Sequence, residues 1–265
     1  MLISSLQNQA IKNIVKLSKS KERREQQLFV IEGARELSLA QRAGYRIESV
    51  YLYPELFEKT KYPEVLSSIP KENIFEITRP VFEKIAYREN SDGIIAISKP
   101  QPHSLSDLRL SDNPLIIILE SVEKPGNLGA ILRTADAAAV DAVIVCDPLT
   151  DLYNPNVIRS GVGGIFTVET AVCSSEEAHQ WLKANQITSY AAELQAAEFY
   201  QNIDFSTPSA LVMGTEADGL TDFWLHNADH RIKIPMLGEI DSLNVSVSTA
   251  VLAFEARRQR LVVEG

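Results

Sequence analysis

The chain has 265 residues, 45% hydrophobic and 23% charged, with two cysteines and a formal charge of −9. These values fit a folded protein of one large or two modest domains. They exclude a disulfide framework or a cysteine-based zinc site, because Cys146 and Cys173 are alone and lack ligand spacing. No apolar run nears the roughly 20 residues that span a bilayer. The N-terminal stretch lacks the apolar core of a signal peptide, so no membrane association and a cytoplasmic location are expected.

In chain order, residues 1–98 read as a first α/β unit. It opens with a basic helix over Asn8–Gln26, followed by strand "LFVIEG", helix "ARELSLAQRAG" and strand "IESVYLY", and closes on the buried strand "GIIAISKP". The opening helix carries Lys12, Lys16, Lys19, Lys21, Arg23 and Arg24 against Glu22 and Glu25. On an acidic chain this segment is either a local basic patch for phosphate or a solvated helix face laced with i,i+3 and i,i+4 pairs. Residues 99–113, rich in Pro, Ser and Asp, read as a linker.

The second unit, 114–265, starts with "LIIILE", an apolar run typical of a strand covered on both faces. Strands and helices then alternate to the end: "DAVIVCD", "FTVET", "TSYAAE", "ALVMG" and "HRIKIPM" as strands, with helices between them and one closing helix. That alternation predicts a mostly parallel, doubly covered sheet. Ligands of such sheets lie beyond the carboxyl ends of the strands.

Three loops there are unusual. In "SVEKPGNLGAILRTAD", Pro125-Gly126 makes a turn, Asn127 is a candidate N-cap, Gly129 permits close approach and Arg133 follows within the helix. Arg133 could equally form an i,i+3 ion pair with Asp136. Asp147, 18 residues after Gly129, resembles a ribose-binding acid, but Gly126-x-x-Gly129 lacks the glycine spacing of a dinucleotide site, which disfavours an oxidoreductase. In "ALVMGTEADGL", Glu216 stands in the loop after Met213-Gly214, as a functional group or as a solvated acid, and Thr221 can cap the next helix. In "IPMLGEIDSLNVSVSTAVLAFE", Pro235 and Gly238 bend the chain and Asn244 can cap the closing helix. Val247, Val251 and Phe254 form an apolar stripe on that helix, read as core packing.

Together, Asn127-x-Gly129-x-x-x-Arg133, "LVMGTEADGL" and "IPMLGEIDSLNVSVSTAVLAFE" resemble the three motifs of the SpoU, or TrmH-type, RNA ribose 2′-O-methyltransferases of the SPOUT superfamily. The N-terminal "NQAIKNIVKLSKSKERREQQLFVIEGARE" resembles, more weakly, the substrate-binding domain of rRNA-type members. The resemblance implies an α/β fold with a C-terminal trefoil knot, an exception to the rule against threading, and a homodimer. It implies S-adenosylmethionine as methyl donor, without a metal, held at Gly214, Ile234 and Leu243 with Met213, Met236 and Gly238 around it. It implies Arg133, Glu216, Ser242, Asn244 and Asn127 at the reacting centre, and Lys16, Lys19, Lys21, Arg23 and Arg24 on RNA, ribosomal rather than transfer RNA. The resemblance implies a part for Arg133 in deprotonating the hydroxyl, but a guanidinium is a poor base, so Arg133 is instead expected to hold phosphate and alkoxide, oriented by Glu216, while water or a phosphate oxygen takes the proton. A catalytically silent RNA-binding assembly factor with the same fold is the alternative.

Overall fold

The computed structural model describes residues 1–58, 61–87 and 92–263. Its strands are β1 Leu2–Ile3, β2 Phe29–Glu32, β3 Ile47–Leu52, β4 Ile74–Ile77, β5 Ile94–Ser98, β6 Leu115–Glu120, β7 Ala142–Cys146, β8 Glu169–Cys173, β9 Thr188–Ala192, β10 Glu198–Phe199, β11 Ser209–Met213 and β12 His230–Lys233. The helices are α1 Gln9–Lys16, α2 Ser20–Gln26, α3 Ala34–Arg42, α4 Pro54–Phe57, α5 Arg79–Ile85, α6 Pro125–Ala137, α7 Pro155–Ser160, α8 Ser175–Ala184, α9 Asp222–Asn227 and α10 Val245–Val263. They fall into two compact units, one of residues 1–102 with 151–167, the other of 103–150 with 168–265.

In the first unit a mixed sheet has the order β1-β4-β3-β5-β2. Strands β1, β4 and β3 run parallel, and β5 is antiparallel to β3 and β2. Ile11 and Ile14 of α1 and Val81, Phe82 and Ile85 of α5 pack with Ile95 and Ile97 of β5. The basic segment is two helices rather than one. Lys19 is extended (φ −92°, ψ 133°), and the Arg23 guanidinium donates to the Leu17 carbonyl at 2.7 Å, satisfying an orphan acceptor at the end of α1.

Residues 151–167, read from sequence as part of the C-terminal unit, pack with the first. Tyr153 stacks on Phe29 with ring centroids 4.2 Å apart, and its hydroxyl lies 3.1 Å from that of Tyr45. Aromatic packing of this kind outweighs nearness in sequence. Gly163, at φ +82°, turns the chain out of α7 into a short 3-10 helix. The strand expected at "FTVET" therefore starts later, at Glu169.

The second unit holds a seven-stranded, all-parallel sheet of order β10-β12-β9-β11-β6-β7-β8. Every residue of β6, β7 and β11 is buried, which explains their unbroken apolar runs. Cys146 and Cys173 are free thiols on in-register partners of β7 and β8, neighbours in space although 27 positions apart in sequence.

Helices α6 and α10 run side by side in the same direction. Asn244 bonds Asn127 at their starts (3.2 Å), and Arg257 donates to the Ala138 carbonyl at their ends (2.8 Å). The stripe of α10 that faces inward is Val245, Thr249, Leu252, Ala253, Ala256 and Arg260. Its small residues allow the helix to lie close against α6. The stripe expected to be core is turned outward instead: Val247 is 48% and Phe254 49% exposed.

Candidate active site

Loops after β9, β11 and β12 converge on a cleft of about 410 Å³ at the carboxyl end of the sheet. Met213 and Gly214 end β11, where the chain must turn sharply. A Cβ on Gly214 would overlap the Gly219 carbonyl, and Gly219 itself sits at φ +72°. Only glycines close this loop so tightly. Met213, Gly214 and the turn after them form one wall of the cleft, completed by Ile234, Met236 and Leu243 from the segment after β12. Gly238 does not line the cleft.

Glu120 locks the loop from below. It ends β6, is 2% exposed, and accepts the backbone N–H and hydroxyl of Thr221 at 2.8 and 2.7 Å. Thr221 sits at the N-cap position of α9, but its hydroxyl serves Glu120 rather than the helix. The Ser175 hydroxyl, at the start of α8, lies 3.2 Å from the same carboxylate and donates to Asp147 at 2.7 Å.

At the cleft edge Glu216 gathers three donors. Asn127 Nδ2 donates at 2.9 Å to the Oε1 that also accepts from Asn244 Nδ2, while Lys124 Nζ pairs with Oε2. The Lys124 ammonium, and next the Asn127 amide, hold the Glu216 carboxyl below its ordinary range, so it is a carboxylate near neutrality. Asn244 turns its own Oδ1 to the Ser246 N–H at 3.0 Å and so also caps α10.

Asn127 is not a cap. Helix α6 begins one turn earlier because Pro125, with its preset φ and missing N–H, fits the first helical position. This frees the Asn127 side chain for Glu216. Lys124, the residue before that proline, is a site member that motif spacing did not pick out. Glu193, at the end of β9, is another: it lines the cleft, and its Oε2 is buried without a hydrogen-bond partner, 3.6 Å from the Arg231 guanidinium. A strand-end acid facing a cleft is a usable signal that the expected motifs overshadowed.

Ser242 lines the cleft beside Leu243, but Arg133 does not. Arg133 is exposed on α6, and among the described residues it forms no ion pair with Glu216 or Asp136. Within the chain, Glu216 is paired with Lys124, the extended residue just before α6, and with Asn127 rather than with Arg133. Of the basic residues expected on RNA, Lys16, Lys19, Lys21 and Arg24 are exposed. Arg23 is not: it is 5% exposed, and Nε and Nη2 donate to the two carboxylate oxygens of Asp151 at 3.1 and 2.5 Å. That bidentate pair removes it from any phosphate surface. Among the described residues no helix is long and apolar enough to cross a membrane, and no group of three or more His, Cys, Asp or Glu is placed to hold a metal.

Comparison with known proteins agrees with this geometry. Residues 114–254 match the SpoU rRNA Methylase family, and residues 8–96 match the MRM3-like substrate binding domain. The 23S rRNA (guanosine(2553)-2′-O)-methyltransferase of Bacillus subtilis is 29% identical over 255 residues, covering 96% of this chain and 98% of the relative. The 23S rRNA (guanosine-2′-O-)-methyltransferase of Vibrio parahaemolyticus is 34% identical over 198 residues, 72% of this chain and 80% of that protein. A crystal structure of an RNA 2′-O ribose methyltransferase superposes with a TM-score of 0.86 at 37% identity, covering 98% of this chain and 100% of that one. An AdoMet-bound rRNA methyltransferase from Sinorhizobium meliloti superposes with a TM-score of 0.87 at 29% identity, covering 97% of each chain. The α/β architecture, the three loops at strand ends and these matches lead to one statement: the chain belongs to the SpoU rRNA methylase family.

Proposed function

We propose that this protein transfers a methyl group from S-adenosylmethionine to a ribose 2′-hydroxyl of ribosomal RNA. One observation carries the reading: Met213, Gly214, Ile234, Met236 and Leu243, from separate loops, line one cleft, with Glu216 at its edge. Its volume of about 410 Å³ falls in the roughly 300–1,000 Å³ range of small-molecule sites. The walls suit the donor: main-chain amides and carbonyls for the adenine edge, Met213 and Met236 for its faces, and the Glu193 carboxylate for the ribose diol.

Bound there, the donor would supply the methyl carbon: the bond from that carbon to the sulfonium sulfur breaks as its bond to the ribose 2′-oxygen forms, leaving the sulfur a neutral thioether. The residues align, since held reactants gain about 7–11 kcal/mol at the extreme. Glu216 fixes the Asn127 and Asn244 amides, which with Ser242 are positioned to hydrogen-bond near the reacting centre. Gly238 shapes the turn outside the cleft. Arg133 binds the target phosphate and the developing alkoxide, and the proton leaves to water or a phosphate oxygen. Lys16, Lys19, Lys21 and Arg24 hold RNA elsewhere on the chain.

Two further parts of the proposal concern assembly. The closing helix completes a trefoil knot, and two copies pair through the outward stripe of α10. Val247, Phe254 and Leu261 are 48%, 49% and 59% exposed there, an apolar strip that favours a partner. Arg133 lies on α6 between Asn127 and Ala138, the residues that Asn244 and Arg257 bond.

The test combines calorimetry with S-adenosylmethionine and with NAD, and methyl transfer to unmodified 23S rRNA using labelled donor. Binding of the first ligand alone, with label recovered in a ribose-methylated nucleoside, is the expected result. Donor binding without transfer to any RNA would instead favour the silent assembly factor.

A further inference from the structure

The first unit has a cavity of its own, of about 170 Å³, between α1, β2, α5 and α7. Ile14, Val30, Ile85 and Ile158 form an apolar floor. The rim is different in kind. Tyr87 is 53% exposed, and the Arg159 guanidinium lies over its ring at 5.5 Å from the centroid. Lys84 and Glu32 complete the rim, and Glu32 Oε2 is engaged by the Tyr87 N–H at 2.7 Å. Val15 borders the cavity, 39% exposed, and on α1 it has Lys12 one turn before it and Lys16 beside it, both exposed.

We propose that this cavity is a subsite for one unpaired nucleobase of the RNA substrate. The reading rests on the RNA-methyltransferase function proposed above and adds to it a place, a base and a recognition mode. An apolar slot bordered by an aromatic ring, a guanidinium plane and a row of ammonium groups is what a single-stranded nucleotide requires. The base stacks on Tyr87 and Arg159, and its phosphates follow Lys84 and the α1 lysines. A purely apolar partner would leave these cations with nothing to neutralise. A duplex would not present a base to the slot. Arg159 comes from the 151–167 segment, so that segment supplies the subsite's fourth wall.

The experiment uses the full chain and a short single-stranded RNA carrying 2-aminopurine, with its blunt duplex as control. Fluorescence titration should show quenching and tighter binding for the single strand. Tyr87→Ala should abolish the quench and weaken binding about tenfold, the loss of one stacked base, with the slope of affinity against salt unchanged. Tyr87→Phe should restore both. Ile158→Trp, which fills the slot, should act like Tyr87→Ala, whereas Lys12→Gln with Lys16→Gln should flatten the salt slope and leave the quench. Melting temperature and S-adenosylmethionine affinity report whether each variant is folded. Wild-type quench and affinity in both Tyr87→Ala and Ile158→Trp would overturn the subsite while leaving the methyltransferase reading in place. A wild-type chain that binds no RNA would sink both.

Discussion

Glu120 and Thr221 are 101 positions apart, yet one carboxylate accepts both the N–H and the hydroxyl of the threonine. These bonds join the end of the interior strand β6 to the far end of the loop that carries Gly214 and Glu216. Glu120→Ala leaves the Thr221 N–H and hydroxyl without their acceptor, while the Ser175 hydroxyl keeps Asp147 at 2.7 Å. Unsatisfied buried donors cost about 1–3 kcal/mol each, and part of that is recovered by water. The expected loss is about 2–4 kcal/mol of unfolding free energy, read by urea titration. A weaker donor Kd should accompany it, because the loop is no longer pinned. Loss of stability with unchanged donor affinity would make Glu120 a structural residue only.

Asp229 sets an acid limit on the same unit. Burial works to raise its pKa, but donors from the Lys183 ammonium and from the Ser189 N–H (2.9 Å) and hydroxyl (2.7 Å) outweigh that and bring it to about 2. The folded value lies below that of an unfolded aspartate, so the stabilisation is complete above about pH 4 and lost as pH falls toward 2. Its size is roughly 2 kcal/mol, reduced by the partial exposure of the pair. Urea midpoints between pH 6 and pH 2 should fall more steeply in the wild type than in Asp229→Asn, which has no such proton to take up. Parallel curves would show that Asp229 contributes nothing to the acid limb.

The role proposed for Arg133 predicts that its substitution separates donor binding from transfer. Its exposure on α6, outside the cleft, means that substitution removes no donor contact within the chain. Arg133→Lys keeps the charge but loses the planar fork that grips two phosphate oxygens. Methyl transfer should drop by at least about tenfold, a modest estimate for loss of one charged hydrogen bond, with donor affinity within experimental error of the wild type. A lysine variant as fast as the parent would remove Arg133 from the chemistry.

The sequence already disclosed the parallel sheet and the three strand-end loops, because each depends on local patterning. It concealed what depends on distant partners. Arg23 looks like its basic neighbours until Asp151, 128 positions away, claims it. Helix α10 has two apolar stripes, and the one with smaller side chains is buried because α6 passes close. Residues 151–167 lie in the middle of the second unit's sequence, yet their aromatic side chain at Tyr153 belongs to the stack on Phe29. Composition and periodicity hold no record of such choices.

Glu193 offers the most selective check of the donor cleft. Its Oε2 is buried without a hydrogen bond and faces Arg231 at 3.6 Å, while the side chain remains 19% exposed along the cleft. With Oε2 turned to Arg231, the other carboxylate oxygen is the one to accept from a ribose hydroxyl of the donor. Glu193→Ala should therefore weaken S-adenosylmethionine binding about tenfold or more, in line with loss of a charge-assisted hydrogen bond. Structural damage could do the same, so the decisive ligand is the 2′-deoxyribose analogue. Removing the hydroxyl should cost the wild type affinity and cost Glu193→Ala almost nothing, because the bond can be lost only once. Equal penalties in the two proteins would mean that the diol is held elsewhere and that Glu193 serves Arg231 alone.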